Sequence, residues 1–218
     1  MKNNLVITII LALSIALAAT IAYIVKSEHD KSEVTFAAHK DELHSCCAEE
    51  KSAGDASENS IYQLDSKWET ESGKEISLSE LSGKPQIMAM IFTSCTYACP
   101  IIVNDIKKIE AGIPKENLDK VNFLLVSIDP ERDTPEALTQ FAKKQKLNLN
   151  RWKLLTADEN SISELAAVMG FKYKKEKDGS FSHSNIISVL DKNGEIAFQH
   201  FGLNEDITDV IEAFNKLN

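Results

Sequence analysis

The chain has 218 residues, of which 43% are hydrophobic, an ordinary proportion for a globular protein and one that excludes a wholly disordered or collagen-like chain. Its 24 lysines and arginines against 33 aspartates and glutamates leave a net charge of −9 with no compensating basic block, which argues against nucleic acid as a partner. Four cysteines are too few to staple a small secreted scaffold, but they fall in two tight pairs, Cys46/Cys47 and Cys95/Cys99, and that placement points to chemistry rather than architecture.

Residues 5–25 make a run of 21 without a charge. A helix of that length, at about 1.5 Å per residue, matches a hydrocarbon core of roughly 30 Å, so residues 1–25 are expected to be a membrane anchor. A cleavable signal peptide is the rival, with Lys2 as a weak n-region and Ala16-Leu17-Ala18 as a small-x-small site, but the apolar run continues beyond Ala18. No cysteine stands at a lipobox-like position. With Lys2 before the run and an acid-rich flank after it, the rest of the chain is expected on the extracytoplasmic (periplasmic) side, where disulfides persist.

Residues 26–60 hold 13 charged residues in 35 without hydrophobic periodicity and are expected to be a flexible tether. His29, His39, His44, Cys46 and Cys47 lie in it. They are either incidental to a solvated stalk or a soft-ligand tract able to capture metal. Residues 61–218 then form one domain, large enough to fold around its own core.

Within that domain, short apolar segments around Asp65-Ser66-Lys67 and Ser72-Gly73-Lys74 predict a small β-hairpin region, with a turn over residues 79–85. Residues 86–92 are almost continuously apolar, the pattern of a strand covered on both faces, and residues 99–110 carry a helical pattern. A second buried strand is expected over residues 121–128. Thr134-Pro135-Glu136 then caps and opens another helix. A short strand at 152–155, a helix at 161–169 ended by Gly170, a hairpin of residues 186–190 and 195–201, and a last helix at 206–217 complete the series. Parallel βαβ first and an antiparallel ββα ending is the layout of a thioredoxin-like α/β layered sandwich with a mixed central sheet.

Cys95-Thr96-Tyr97-Ala98-Cys99-Pro100 sits where the first buried strand hands over to a helix. Backbone N–H groups and the helix dipole favour an anion there, so the thiols are expected to be acidified. The spacing suits either a disulfide or two soft ligands on one metal. His183, in Ser182-His183-Ser184-Asn185 before the strand at 186–190, inclines the choice toward metal. A thioredoxin would carry a cis-proline in that loop, and this chain has no proline after Pro135. Two thiolates and an imidazole make a trigonal site suited to Cu(I), able to hold Cu(II) with a further ligand. Asp129 and Asp133 have ordinary turn and capping roles available, and Arg132 a simple ion pair with an acid. His200 reads as a surface or hydrogen-bonding histidine, and residues 172–179 as an exposed hairpin tip.

Ile91-Phe92-Thr93-Ser94-Cys95 through Cys99-Pro100, the run from Ser127-Ile128-Asp129-Pro130-Glu131-Arg132-Asp133 to Thr134-Pro135, Ser182-His183-Ser184-Asn185, Asp191-Lys192-Asn193-Gly194-Glu195 and Phe201-Gly202 follow one another as in the Sco/SenC family, which residues 61–218 resemble. The resemblance implies a membrane-tethered, thioredoxin-like copper metallochaperone that helps assemble the CuA centre of cytochrome c oxidase. Cys95, Cys99 and His183 would be the copper ligands, and Asp129 and Asp133 would be groups near the metal that orient a ligand or meet a partner. The implied partners are the CuA-bearing oxidase subunit, a copper donor and a thiol reductant, since a disulfide cannot ligate copper in this way. Thr96, Tyr97 and Ala98 replace the Pro-Asp-Val found between the cysteines in many members, so a carboxylate beside the first cysteine is lost. The competing function is a thiol–disulfide oxidoreductase that uses the same two sulfurs to reduce cysteines of an exported or oxidase-subunit partner. A peroxidase is disfavoured because Pro-x-x-x-Thr-x-x-Cys is absent around Cys95.

Overall fold

The computed structural model describes Ser57 and residues 59–217. The expected anchor at 1–25 and most of the tether, with His29, His39, His44, Cys46 and Cys47, lie outside the described residues. Among the described residues, no helix is long and apolar enough to cross a membrane.

Among the described residues, nine strands and four α-helices follow in order. They are β1 (Lys67–Thr70), β2 (Glu75–Ser77), β3 (Gln86–Ile91), α1 (Ala98–Gly112), β4 (Asn122–Ser127), α2 (Pro135–Lys144), β5 (Trp152–Thr156), α3 (Glu159–Val168), β6 (Tyr173–Lys175), β7 (Phe181–His183), β8 (Ile186–Leu190), β9 (Ile196–Phe201) and α4 (Thr208–Asn215). A seven-stranded sheet runs β2-β1-β5-β4-β3-β8-β9, and β6-β7 form a separate two-stranded sheet. β3, β4 and β5 are mutually parallel, as βα crossovers require, whereas β8 and β9 add antiparallel on one side and the β1–β2 hairpin on the other. The mixed thioredoxin-like sheet expected from the order of elements is therefore present.

Local chemistry places the helix starts. The Thr134 side chain accepts the Ala137 N–H with Pro135 at the first helical position of α2, and Asp158 accepts the Asn160 and Ser161 N–H groups at the start of α3. The opening segment differs from a simple hairpin. Residues Ile61–Gln63 form a 3-10 turn, because the Ser60 hydroxyl accepts the Tyr62 N–H and also bonds the Asn193 carbonyl, which seats Ile61 in the core. Leu78–Leu81 likewise wind as 3-10 rather than an open turn, with the Ser77 N–H donating to the Glu80 carboxylate at 3.0 Å. The last helix is shorter than its apolar pattern, Thr208–Asn215, since the Asp206 carboxylate takes the Thr208 N–H and hydroxyl and holds the preceding residues in a turn.

Every residue of β3 is buried, and so are the residues of β4 after Asn122. At the far edge of this core Trp152 stacks on Phe123, with ring centroids 5.1 Å apart, and its indole N–H donates to Glu110 at 2.9 Å. Arg151 Nη2 donates to the other oxygen of the same carboxylate at 2.7 Å, which ties β5 to α1. The parallel register of β3 and β4 brings their C-terminal ends to one rim, where the Ile128 N–H donates to the Ile91 carbonyl at 2.8 Å. β8, running antiparallel to β3, starts at that same rim. Three connections thus converge there: Phe92 to Tyr97, Ile128 to Thr134, and Ser184-Asn185.

A candidate metal centre at the rim of the sheet

Cys95, Cys99 and His183 come together at this rim, with one candidate ligand atom from each lying within 4.8 Å of the others. Both thiols are free. α1 begins at Ala98 without a side-chain cap from Tyr97, and the Cys99 N–H instead points at Cys95 Sγ, 3.3 Å away. The first sulfur thus stands where an N-cap oxygen usually does. Pro100 follows in the first turn, where a missing N–H leaves no bond unmade.

The two sulfurs differ in environment. Cys95 is half-buried, whereas Cys99 is fully buried against the core and accepts the Phe92 N–H at 3.5 Å. Burial pushes the Cys99 thiol well above the ordinary thiol range, further than the Phe92 hydrogen bond lowers it. The acidification expected at a helix N-terminus therefore fails for Cys99, because desolvation of the thiolate outweighs the helix dipole. Iodoacetamide added to the reduced, metal-free chain at pH 8 is expected to alkylate Cys95 at least about tenfold faster than Cys99. Peptide mapping checks this, and equal rates would place both sulfurs in one environment.

His183 ends β7, held against Tyr173 of β6. Its Nδ1 lies 2.8 Å from the Ser184 carbonyl oxygen, which can only accept, so Nδ1 carries the proton and Nε2 is left as the ligand atom. Phe171 stacks on the ring at 5.9 Å between centroids and Phe92 meets it edge-on at 5.7 Å. The hairpin base is closed by the Ser184 N–H to the Lys172 carbonyl and by the Lys172 N–H to the Ser184 hydroxyl. Orientation and tautomer of the imidazole are thus set by the Ser184 carbonyl, the closed hairpin base and the rings of Phe171 and Phe92.

Asp133 is buried and accepts from the Thr93 N–H at 3.0 Å, the Thr93 hydroxyl at 2.5 Å and the Ser127 hydroxyl at 2.6 Å. Burial raises its carboxyl above the usual range, against the pull of those hydrogen bonds. It pins the residues just ahead of Cys95, which is more than the capping role its Asp-Thr-Pro setting alone suggested. Asp129 does take the simple ion pair with Arg132. Arg132, however, also reaches the hairpin that bears His183, a role no local sequence signal carried. His200 sits half-buried in β9 opposite Ile187, and the Cys-Cys-His group found among the described residues does not include it.

The chain is similar to known proteins in sequence and in fold. The SCO1/SenC family profile matches residues 54–217. The chain is 28% identical over 148 residues to the SCO1 protein homolog of Bacillus subtilis, covering 66% of this chain and 76% of that protein. Among solved structures it is similar to BsSco, described as a member of the Sco family of cytochrome c oxidase assembly proteins with a disulfide switch, at 25% identity and a TM-score of 0.62 over 69% of this chain and 90% of that one. The copper-bound ScoI of Bradyrhizobium japonicum shares the fold at 22% identity and a TM-score of 0.59, covering 70% of this chain and 97% of that one. With the profile spanning most of the sequence and the thioredoxin-like sheet in place, this chain belongs to the SCO1/SenC family.

Proposed function

We propose that the protein is a membrane-anchored copper metallochaperone that holds copper through Cys95, Cys99 and His183 and delivers it toward the CuA centre of cytochrome c oxidase. The observation that carries this reading is the convergence of two free sulfurs and an imidazole whose Nδ1 is already committed to a carbonyl, within 4.8 Å of one another. Soft thiolates with one imidazole match Cu(I), and the half-exposed Cys95 gives incoming and outgoing ligands a side from which to exchange. Zinc usually asks for a fourth protein ligand in a structural site. The relatives described as copper-bound or as oxidase assembly proteins support the same cargo and recipient. The charge-free run at 5–25 is the anchor in this reading, residues 26–60 the tether, and residues 61–218 the copper domain on the extracytoplasmic side. A copper donor and a thiol reductant complete the set of partners, because the sulfurs ligate only when reduced.

A second reading has its own support. An accessible sulfur beside a buried one is the arrangement of a thiol–disulfide oxidoreductase, with Cys95 attacking and Cys99 resolving. Copper stoichiometry of the full chain separates the two. One tightly held Cu(I) at this site per reduced chain, lost when the Cys95/Cys99 disulfide is formed, is the expected result. A folded, reduced chain that takes up no copper, yet exchanges disulfides readily, makes it an oxidoreductase.

A further inference from the structure

β6 and β7 pair through only three rungs and share no ladder with the main sheet. An isolated two-stranded hairpin is marginal by itself. The position of His183 therefore depends on what fastens this hairpin to the domain. On one side Phe181 packs on Phe92, with centroids 5.2 Å apart, and Phe171 stacks on His183. On the other stands Arg132, in the loop that leaves β4.

The guanidinium of Arg132 has three contacts. Nε donates to the Asp129 carboxylate, which is fully buried, and Nη2 donates to the Gly179 carbonyl at 2.5 Å. Its central carbon lies 5.9 Å from the centroid of the Phe181 ring. Gly179 sits in the hairpin turn at φ +81° and Phe181 opens the strand that ends in His183. Asp129 lies two residues past the end of β4, and its N–H donates to the Ser127 hydroxyl at 3.0 Å, so the clasp is anchored in the core. The neighbouring Lys175–Glu131 pair at 2.5 Å also crosses to the hairpin, but its side chains are 44% and 73% exposed and such pairs hold little.

We infer that Arg132 is a positioning residue for the histidine ligand, an inference that rests on the copper reading above. A planar guanidinium pairs with the carboxylate through one edge, reaches the hairpin turn with another nitrogen and covers an aromatic face. A lysine ammonium at this place offers a point charge and cannot bridge all three. The buried Asp129 holds Nε, Nη2 holds the hairpin turn, and the hairpin carries His183 to the two sulfurs.

The test uses the full chain carrying Cys46→Ser and Cys47→Ser, so that the tether thiols do not contribute. This parent is compared with Arg132→Lys and with the pair Asp129→Asn plus Arg132→Gln, which leaves no buried carboxylate unpaired. In the reduced, metal-free state, amide hydrogen exchange in β6 and β7 is expected to quicken at least about tenfold in both variants, while β3 and β4 exchange as in the parent. Copper loss to a chromophoric Cu(I) chelator is expected to be at least about tenfold faster in both. After Cu(II) loading, the nitrogen hyperfine signal is expected to weaken while the sulfur-to-copper absorption persists. Copper loss at the parent's rate in both variants overturns the positioning role, whatever the hairpin exchange shows. A parent that binds no copper removes the copper reading itself, a result recognisable before any variant is compared.

Discussion

Replacing Cys99 by serine in the reduced chain is expected to abolish tight copper binding, and replacing His183 by alanine to weaken it more than the ~100-fold loss that removal of an outer partner produces. The two effects differ for a structural reason. Cys99 is fully buried and fixed by the first turn of α1, so no water or neighbouring side chain can take its place beside the metal. His183 is half-buried, and a water or exogenous ligand can enter where the imidazole stood. Added imidazole is accordingly expected to restore part of the affinity of His183→Ala and none of that of Cys99→Ser. Competition titration with a Cu(I) chelator measures the affinity of each variant with and without imidazole. A His183→Ala variant that binds copper as the parent does would leave the sulfurs as the whole site and make the juxtaposed imidazole incidental.

The largest expected effect on stability lies at the start of β5, at the opposite end of the parallel strands from the cysteine rim. Trp152→Ala is expected to destabilise the chain by about 3–5 kcal/mol, because it removes a fully buried indole and leaves a cavity against Phe123. It also takes the indole donor from Glu110, which then keeps only Arg151. Trp152→Phe preserves the stack and loses the hydrogen bond, so it is expected to cost less, with about 1 kcal/mol of the loss assignable to that bond. Urea unfolding of the reduced chain at unchanged slope checks both. A loss below about 1 kcal/mol for the alanine variant would mean that the β5 edge is not part of the cooperative core.

Much of the architecture is legible in the sequence. The two buried strands announce themselves as unbroken apolar runs, Thr134-Pro135 marks a helix start from four neighbouring residues, and Asp191-Lys192-Asn193-Gly194 marks the β8–β9 turn. Such signals are local, since burial on both faces, capping and turn geometry all involve residues adjacent in the chain. The segment at 61–64 was not legible in this way. Its Ile-Tyr-Gln-Leu pattern fits a strand, and a hydroxyl shared between the Tyr62 N–H and the distant Asn193 carbonyl turns it into 3-10 instead. The acidity expected of the Cys99 thiol fails for a related reason. Position at a strand–helix junction is a sequence property, whereas the desolvation of Cys99 is set by the surrounding core.

Residue order alone supplies the chemical parts and their local frames. These are a pair of cysteines separated by three residues at the mouth of a helix, a lone histidine ahead of a late strand, and an order of strands and helices that admits few topologies. The tertiary structure decided how those parts meet. Parallel β3 and β4 with antiparallel β8 bring the cysteines and the histidine to one rim. A carbonyl contact selects the imidazole nitrogen, burial divides the two sulfurs into an accessible and a sheltered one, and Arg132 reaches 47 residues along the chain to Gly179. The physical reason is range. Periodicity, capping and turns act over a few residues and are written in composition, whereas desolvation, ring packing and a three-way guanidinium contact exist only after distant segments have been folded against one another.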